Sequence, residues 1–225
     1  MLFIKKVTLK SIFKLSQVTI NLHKKQPMNE KITVSGQSKP YNTFLALVLS
    51  NLTGIPYIRN KTMYEWCKLC GVDDSDKLKW KDMIIISSLS FYERAATELH
   101  YDQFISDGIS FTELVWLKSN FEKQHFSKRK NEWSRIIGNM EKVSVAYANQ
   151  QYDIIIHNSS DSNVDDLYIQ LYKKFNLTYK AYNTECLETI VDKIANDLKL
   201  RRINTIENAI YQAKTNIYNL FIKET

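Results

Sequence analysis

From Lys31 onward, apolar residues recur along this chain at two alternating periods, and each change of period marks a change of element. Ile32-Thr33-Val34 reads as a short strand ending in Gly36, and the stretch after it places Phe44, Leu47, Val48 and Leu52 at helical spacing. Gly54-Ile55-Pro56 stops that helix, and 55 to 58 reads as a second strand. Residues 62 to 71 form a short amphipathic helix closed by a polar turn at Asp73 to Asp76. The segment from Lys79 to about Leu99 predicts a long helix with Ile85, Leu89, Tyr92, Ala96 and Leu99 on its apolar face.

Gln103 to Ser106 is a buried strand ending at Asp107-Gly108, and Ser110 to Phe121 is helical. A basic segment from Lys123 to Arg135 leads into another helix reaching about Ala148. Asp153-Ile154-Ile155-Ile156-His157 is too continuously apolar for a half-exposed edge, so it belongs in the middle of a sheet. Helix 164 to 175, strand 178 to 182, helix 184 to 198 and a last helix from Asn204 to Phe221 complete the pattern. Strands alternating with helices predict an α/β fold, a mainly parallel sheet with helices on both faces.

Residues 1 to 29 break this regularity. They hold Lys5, Lys6, Lys10, Lys14, Lys24 and Lys25 with no acidic residue, and their apolar positions (Val7, Leu9, Val18, Ile20, Leu22) partly alternate. The organisation expected is a basic extension over 1–29, a hairpin or an arm, and a single domain over 30–225.

Composition narrows the picture a little further. With 44% hydrophobic and 24% charged residues the chain is too apolar to be disordered. Lys and Arg outnumber Asp and Glu by 31 to 24, a formal charge of +7 that suits nucleotides, nucleic acid or acidic lipid without choosing among them. No apolar run approaches the roughly 18 to 20 residues that cross a bilayer, and nothing at the start resembles a signal peptide. Three cysteines, Cys67, Cys70 and Cys186, are too few and too odd in number for a disulfide framework, so the expectation is a cytoplasmic protein with no membrane partner.

Phosphate chemistry in α/β folds needs a tight link between first strand and first helix, where backbone N–H groups and the helix N-terminus converge on an anion. The usual spelling is G-x-x-x-x-G-K-[ST], and here the chain reads Gly36-Gln37-Ser38-Lys39-Pro40-Tyr41-Asn42-Thr43. The first glycine and the threonine match; Tyr41 and Asn42 stand where glycine and lysine are expected. A phenol at the closest backbone approach and a missing N–H at Pro40 both weaken such a cradle, while Lys39 can reach the site from within the loop.

Other motifs carry less. Trp66-Cys67-Lys68-Leu69-Cys70 has the spelling of a redox pair, but its polar lead-in places both cysteines mid-helix as structural thiols. The same pair lacks further zinc ligands, because His23, His100, His125 and His157 are scattered. A calcium loop over 102 to 113 fails at Phe104 and Asp107. A helix-turn-helix beginning at Thr62 lacks its second helix, so nucleic acid is permitted by charge and favoured by no motif.

The strand-loop-helix at 31 to 53, Phe104 to Gly108, the basic segment 123 to 135 and Tyr152 to His157 with the βα unit after it resemble, in order and spacing, the P-loop nucleoside and nucleotide kinases, with a degenerate phosphate loop. The look-alikes are the deoxynucleoside, thymidylate and nicotinamide-riboside kinases, over about residues 31 to 200. The resemblance implies ATP and Mg²⁺ as cofactors, and as partners a nucleotide and a small acceptor bearing a hydroxyl. It places Gly36, Ser38, Lys39 and Thr43 at the phosphates, Asp107 as catalytic base, and Thr43 with Asp107 at the metal. Lys128, Arg129, Lys130 and Arg135 fall in the lid over the phosphates, and Arg59 at the acceptor. Loss of the standard lysine leaves two outcomes open, an active phosphotransferase or a catalytically inactive module that binds a nucleotide, a protein or nucleic acid.

Overall fold

The computed structural model describes residues 30–36, 38–72, 78–121, 130–159, 163–183 and 186–222. The basic extension at 1–29, the polar turn at 73–77 and the centre of the basic segment, including Lys128 and Arg129, lie outside the described residues.

Strand β1 (Lys31–Gly36) runs into α1 (Lys39–Thr53), followed by β2 (Tyr57–Ile58), α2 (Met63–Leu69) and α3 (Trp80–Glu98). Then come β3 (Phe104–Asp107), α4 (Thr112–Phe121), α5 (Lys130–Gln151), β4 (Ile154–Ser159), α6 (Asn163–Lys174), β5 (Tyr179–Asn183), α7 (Leu187–Asp197) and α8 (Ile206–Ile222). The five strands form one sheet in the order β2-β3-β1-β4-β5, with every pair parallel. The triple-isoleucine strand β4 lies between β1 and β5, as its unbroken apolar run requires.

Side chains alternate across the sheet, so one strand feeds two cores. Ile32, Val34, Ile105 and Ile156 pack under α1, α7 and α8. Phe104 and Ile155 face the other way, toward the layer that includes α3, α4, α5 and α6. Gly54 closes α1 in a left-handed conformation with its N–H on the Ser50 carbonyl, and Thr62 opens α2 in a reciprocal capping box with Glu65.

Helix α3 forms where the periodicity placed it but turns its other side inward. Ile85, Leu89, Tyr92 and Leu99, from the face read as apolar, are exposed, whereas Trp80, Met83, Ile86, Ser87, Ser90, Arg94 and Glu98 are buried. The reason is a set of waiting partners. Arg94 Nη2 donates to Glu113 Oε1 at 2.9 Å and Ser90 Oγ donates to the same oxygen at 2.7 Å. Tyr147 and Tyr152 donate to Glu98 Oε2 at 2.9 and 2.8 Å. A buried charge is tolerated when it is paired and hydrogen-bonded, and these partners come from α4, α5 and the residue after it, which a local pattern does not contain. Burial raises the Glu98 carboxyl above its ordinary range, opposed by Arg94 and the two tyrosines. Among the described residues no helix is long and apolar enough to cross a membrane.

Candidate functional site

The chain passes to one side of β1 to make β2 and β3 and to the other to make β4 and β5, so the strand order reverses around β1. Ligands of open α/β sheets bind beyond the carboxyl ends of strands at such a reversal. There the molecule has a cavity of about 260 Å³, floored by Ser35 and Gly36, with Lys39, Asn42 and Asp107 on one side. Its other wall is Trp116 of α4 with Val164 and Tyr168 of α6.

Gly36 has φ +135°, and a Cβ there would stand 2.3 Å from the Asn158 carbonyl oxygen, so β1 can end this close to β4 only as glycine. The link that follows is shorter than an eight-residue phosphate loop: α1 already begins at Lys39, after Gln37 and Ser38. Proline stands in its first turn, where a fixed φ and a missing N–H are tolerated, and no glycine at 41 interrupts the helix. Tyr41 therefore packs against the α1, α7 and α8 core rather than at the nearest approach to an anion, which corrects the steric reading of that residue. Asn42, where the motif has lysine, is buried and donates from Nδ2 to the Gly36 carbonyl at 3.0 Å, stapling the link.

Lys39 is the cation of this site. Its Nζ lies 3.0 Å from Asp107 Oδ1 and also donates to the Asp107 carbonyl oxygen. Burial pulls its pKa down and the Asp107 carboxylate pushes it back, while 29% of the side chain stays open at the cavity. Asp107 itself is fully buried and accepts from every side: Thr43 Oγ1 at 2.5 Å and Tyr57 OH at 2.8 Å on Oδ2, the Asn60 N–H at 2.8 Å on Oδ1, and Lys39. Next to it, Gly108 has φ +136°, and its carbonyl accepts from Thr33 Oγ1 at 2.9 Å and from Arg94 Nη1. The end of β3 is thus held by side chains from β1 and α3.

The structure brings Gly36, Lys39, Thr43 and Asp107 together and sets others apart. Ser38 is the exposed N-cap of α1 and makes no side-chain capping bond. Arg59 pairs with Glu65 at the start of α2 and does not line the cavity. Lys130 opens α5, and Arg135 is exposed on the same helix, away from the cavity lining. Cys67 is buried, with its thiol pushed up by that burial, the direction opposite to a redox nucleophile. Among the described residues no group of three or more His, Cys, Asp or Glu side chains is placed to hold a metal.

Sequence reasoning missed the aromatic wall of Trp116 and Tyr168, and also the floor. Ser35 Oγ lies 2.5 Å from Tyr172 OH and 3.4 Å from His157 Nδ1, all three buried. The parallel register that sets Ser35 beside His157 is the signal for that pair, and it becomes visible only once β1 and β4 are known neighbours.

The sequence matches no family model and no curated protein. Solved structures do match. One is deoxyadenosine kinase from M. mycoides with bound dCTP, at TM-score 0.51 and 14% identity over 75% of this chain and 98% of that one. Another is the NadR protein in complex with NAD and AMP-PNP, at TM-score 0.48 and 15% identity over 77% of this chain and 51% of that one. With the all-parallel sheet flanked by helices, the first likeness shows that this chain shares the fold of that deoxyadenosine kinase.

Proposed function

We propose that this chain binds a nucleotide at the Lys39 end of the cavity and transfers a phosphoryl group to a small hydroxyl-bearing acceptor seated against Trp116 and Tyr168. The observation that carries this reading is the convergence of Lys39, Thr43 and Asp107 at the carboxyl ends of β1 and β3. The Lys39–Asp107 pair is the resting state. An incoming phosphate competes for Lys39, and the carboxylate it leaves keeps its bonds to Thr43, Tyr57 and Asn60 while Oδ1 gains room for a proton. In transfer, the acceptor oxygen bonds to phosphorus, the bond from phosphorus to the nucleotide's bridging oxygen breaks, and the acceptor proton passes to Asp107.

Thr43 and Asp107, a hydroxyl and a carboxylate 2.5 Å apart, suit Mg²⁺, which binds through one or two carboxylates plus substrate phosphates. When bound with ATP it would supply neutralisation of phosphate charge. The aromatic wall suits the face of a planar ring, and the deoxyadenosine kinase likeness agrees with a nucleoside-like acceptor.

Calorimetric titration with Mg²⁺-ATP and Mg²⁺-GTP tests the binding half, with Lys39→Ala expected to weaken affinity at least about tenfold, or about 1.4 kcal/mol. No heat at about millimolar nucleotide, about a thousand times above a micromolar Kd, removes the proposal. The two-residue link to α1 favours a second reading, in which the nucleotide binds without turnover. An acceptor screen for nucleotide diphosphate release separates the two readings.

A further inference from the structure

A chain of two hydroxyls and an imidazole, Ser35, Tyr172 and His157, runs from the cavity floor into the core and ends against the Asp165 carboxylate. His157 is fully buried on β4, with Nδ1 3.2 Å from Tyr172 OH and Nε2 3.5 Å from Asp165 Oδ1. The groups facing the imidazole are Ser35 from β1 and Asp165, Tyr168 and Tyr172 from α6, with Tyr179 of β5 stacked on Tyr172 at 4.9 Å. Arg94 of α3 and Glu113 of α4 act on Tyr168. Among the described residues Asp165 is the charged group against the ring.

The donors and acceptors of this chain can be ordered in two ways. With the imidazole neutral, its Nε2–H faces the Asp165 carboxylate, so Nδ1 accepts a hydrogen bond from the Tyr172 hydroxyl. The Tyr172 oxygen must then accept, at 2.5 Å, from Ser35, and the Ser35 proton points inward. Only lone pairs of Ser35 face the cavity, which repel an anion. A proton added at Nδ1 reverses every step: Nδ1–H donates to Tyr172, Tyr172 donates to Ser35, and the Ser35 proton is released toward the cavity.

We propose that Ser35 is a ligand of the anion bound at Lys39, and that the Tyr172–His157–Asp165 relay switches it from repelling acceptor to donor when His157 takes up a proton. This rests on the phosphate-binding reading above and adds a residue and a pH dependence to it. Binding and protonation are reciprocal: whatever the proton does for the anion, the anion does for the proton.

Sulfate is the probe, because its charge is constant between about pH 5.5 and about pH 8, an interval that brackets the ordinary histidine pKa. Calorimetry in two buffers of different ionisation heat reads affinity and net proton uptake together. The whole chain is expected to bind sulfate about tenfold tighter at the lower pH, the scale of one added hydrogen bond to a charged group, with proton uptake on binding. Tyr172→Phe removes the middle hydroxyl and leaves only the long 3.4 Å approach of Ser35 to His157, and Ser35→Ala removes the ligand; each is expected to lose most of the tenfold ratio and the proton uptake. A ratio as large as that of the unmodified chain in either variant overturns the relay and leaves the phosphate site standing. No sulfate binding by the unmodified chain at either pH overturns both.

Discussion

The two sides of the cavity hold polar groups in opposite ways. On the Asp107 side a carboxylate is saturated by four donors, one of them a lysine. On the His157 side two hydroxyls and an imidazole, backed by the Asp165 carboxylate, form hydrogen bonds that can reverse direction. The first side changes state only when a ligand competes for a partner; the second changes when a proton arrives. A buried ion pair and a buried hydroxyl chain are therefore different devices, although both satisfy the same demand that buried polar atoms be paired.

The largest expected effect tests whether the saturated side is structural as well as functional. Asp107→Ala strands the buried Thr43 hydroxyl and Asn60 N–H and removes the acceptor of the half-buried Tyr57 hydroxyl. Each stranded donor costs roughly 1–3 kcal/mol. We expect urea unfolding to show a loss of about 3–5 kcal/mol, the range for a broken buried network. A variant as stable as the unmodified chain would mean that water or relaxation replaces these bonds, and the contrast between the sides would fail.

Lys39 sharpens the same contrast at a smaller scale. Its side chain is 29% exposed, so solvent screens its pairing with Asp107. Lys39→Met is expected to lower stability by only about 1 kcal/mol, while nucleotide affinity falls at least about tenfold. Equilibrium unfolding beside calorimetry on one preparation checks both. A loss as large as that of Asp107→Ala would make Lys39 a structural cation and not a ligand.

Lys39 and Thr43 were singled out from the strand-loop-helix at 31 to 53, and Asp107 from the resemblance that set it at the end of its own strand; the structure brings the three together. Arg59 was placed after the correct strand, and its guanidinium pairs with Glu65, three residues past the Thr62 cap, outside the cavity lining. The sheet was legible from the apolar run of β4 and the alternation around it. Its helix faces were less so: the buried side of α3 carries Arg94 and Glu98, whose partners Glu113, Tyr147 and Tyr152 lie up to 54 residues away in sequence. The His157 side of the cavity was illegible for the same reason, with Ser35 separated from His157 by 122 positions and from Tyr172 by 137. Periodicity reports which residues share a face; it does not report what waits opposite them.

The smallest expected effect comes from the His157 side alone. Burial lowers the His157 pKa, opposed by Asp165, so the folded protein binds this proton less readily than the unfolded chain, whose histidines titrate near 6.5. The contribution to stability is complete above that value and is lost as pH falls from about 6.5 toward the lower folded pKa. For one proton it stays within about 1.4 kcal/mol for each pH unit. Buried Glu98, raised by desolvation, contributes with the opposite sign, but it is common to any pair of proteins differing only at 157. Urea midpoints of the unmodified chain and His157→Gln at about pH 7.5 and about pH 5.5, either side of the unfolded value, isolate the term. The stability gap between them should narrow at the lower pH, and adding sulfate should narrow this pH dependence further, because an anion that recruits the relay raises the proton affinity of His157. A gap that stays constant would mean that His157 titrates alike in both states, and the hydroxyl chain would be as fixed as the ion pair opposite it.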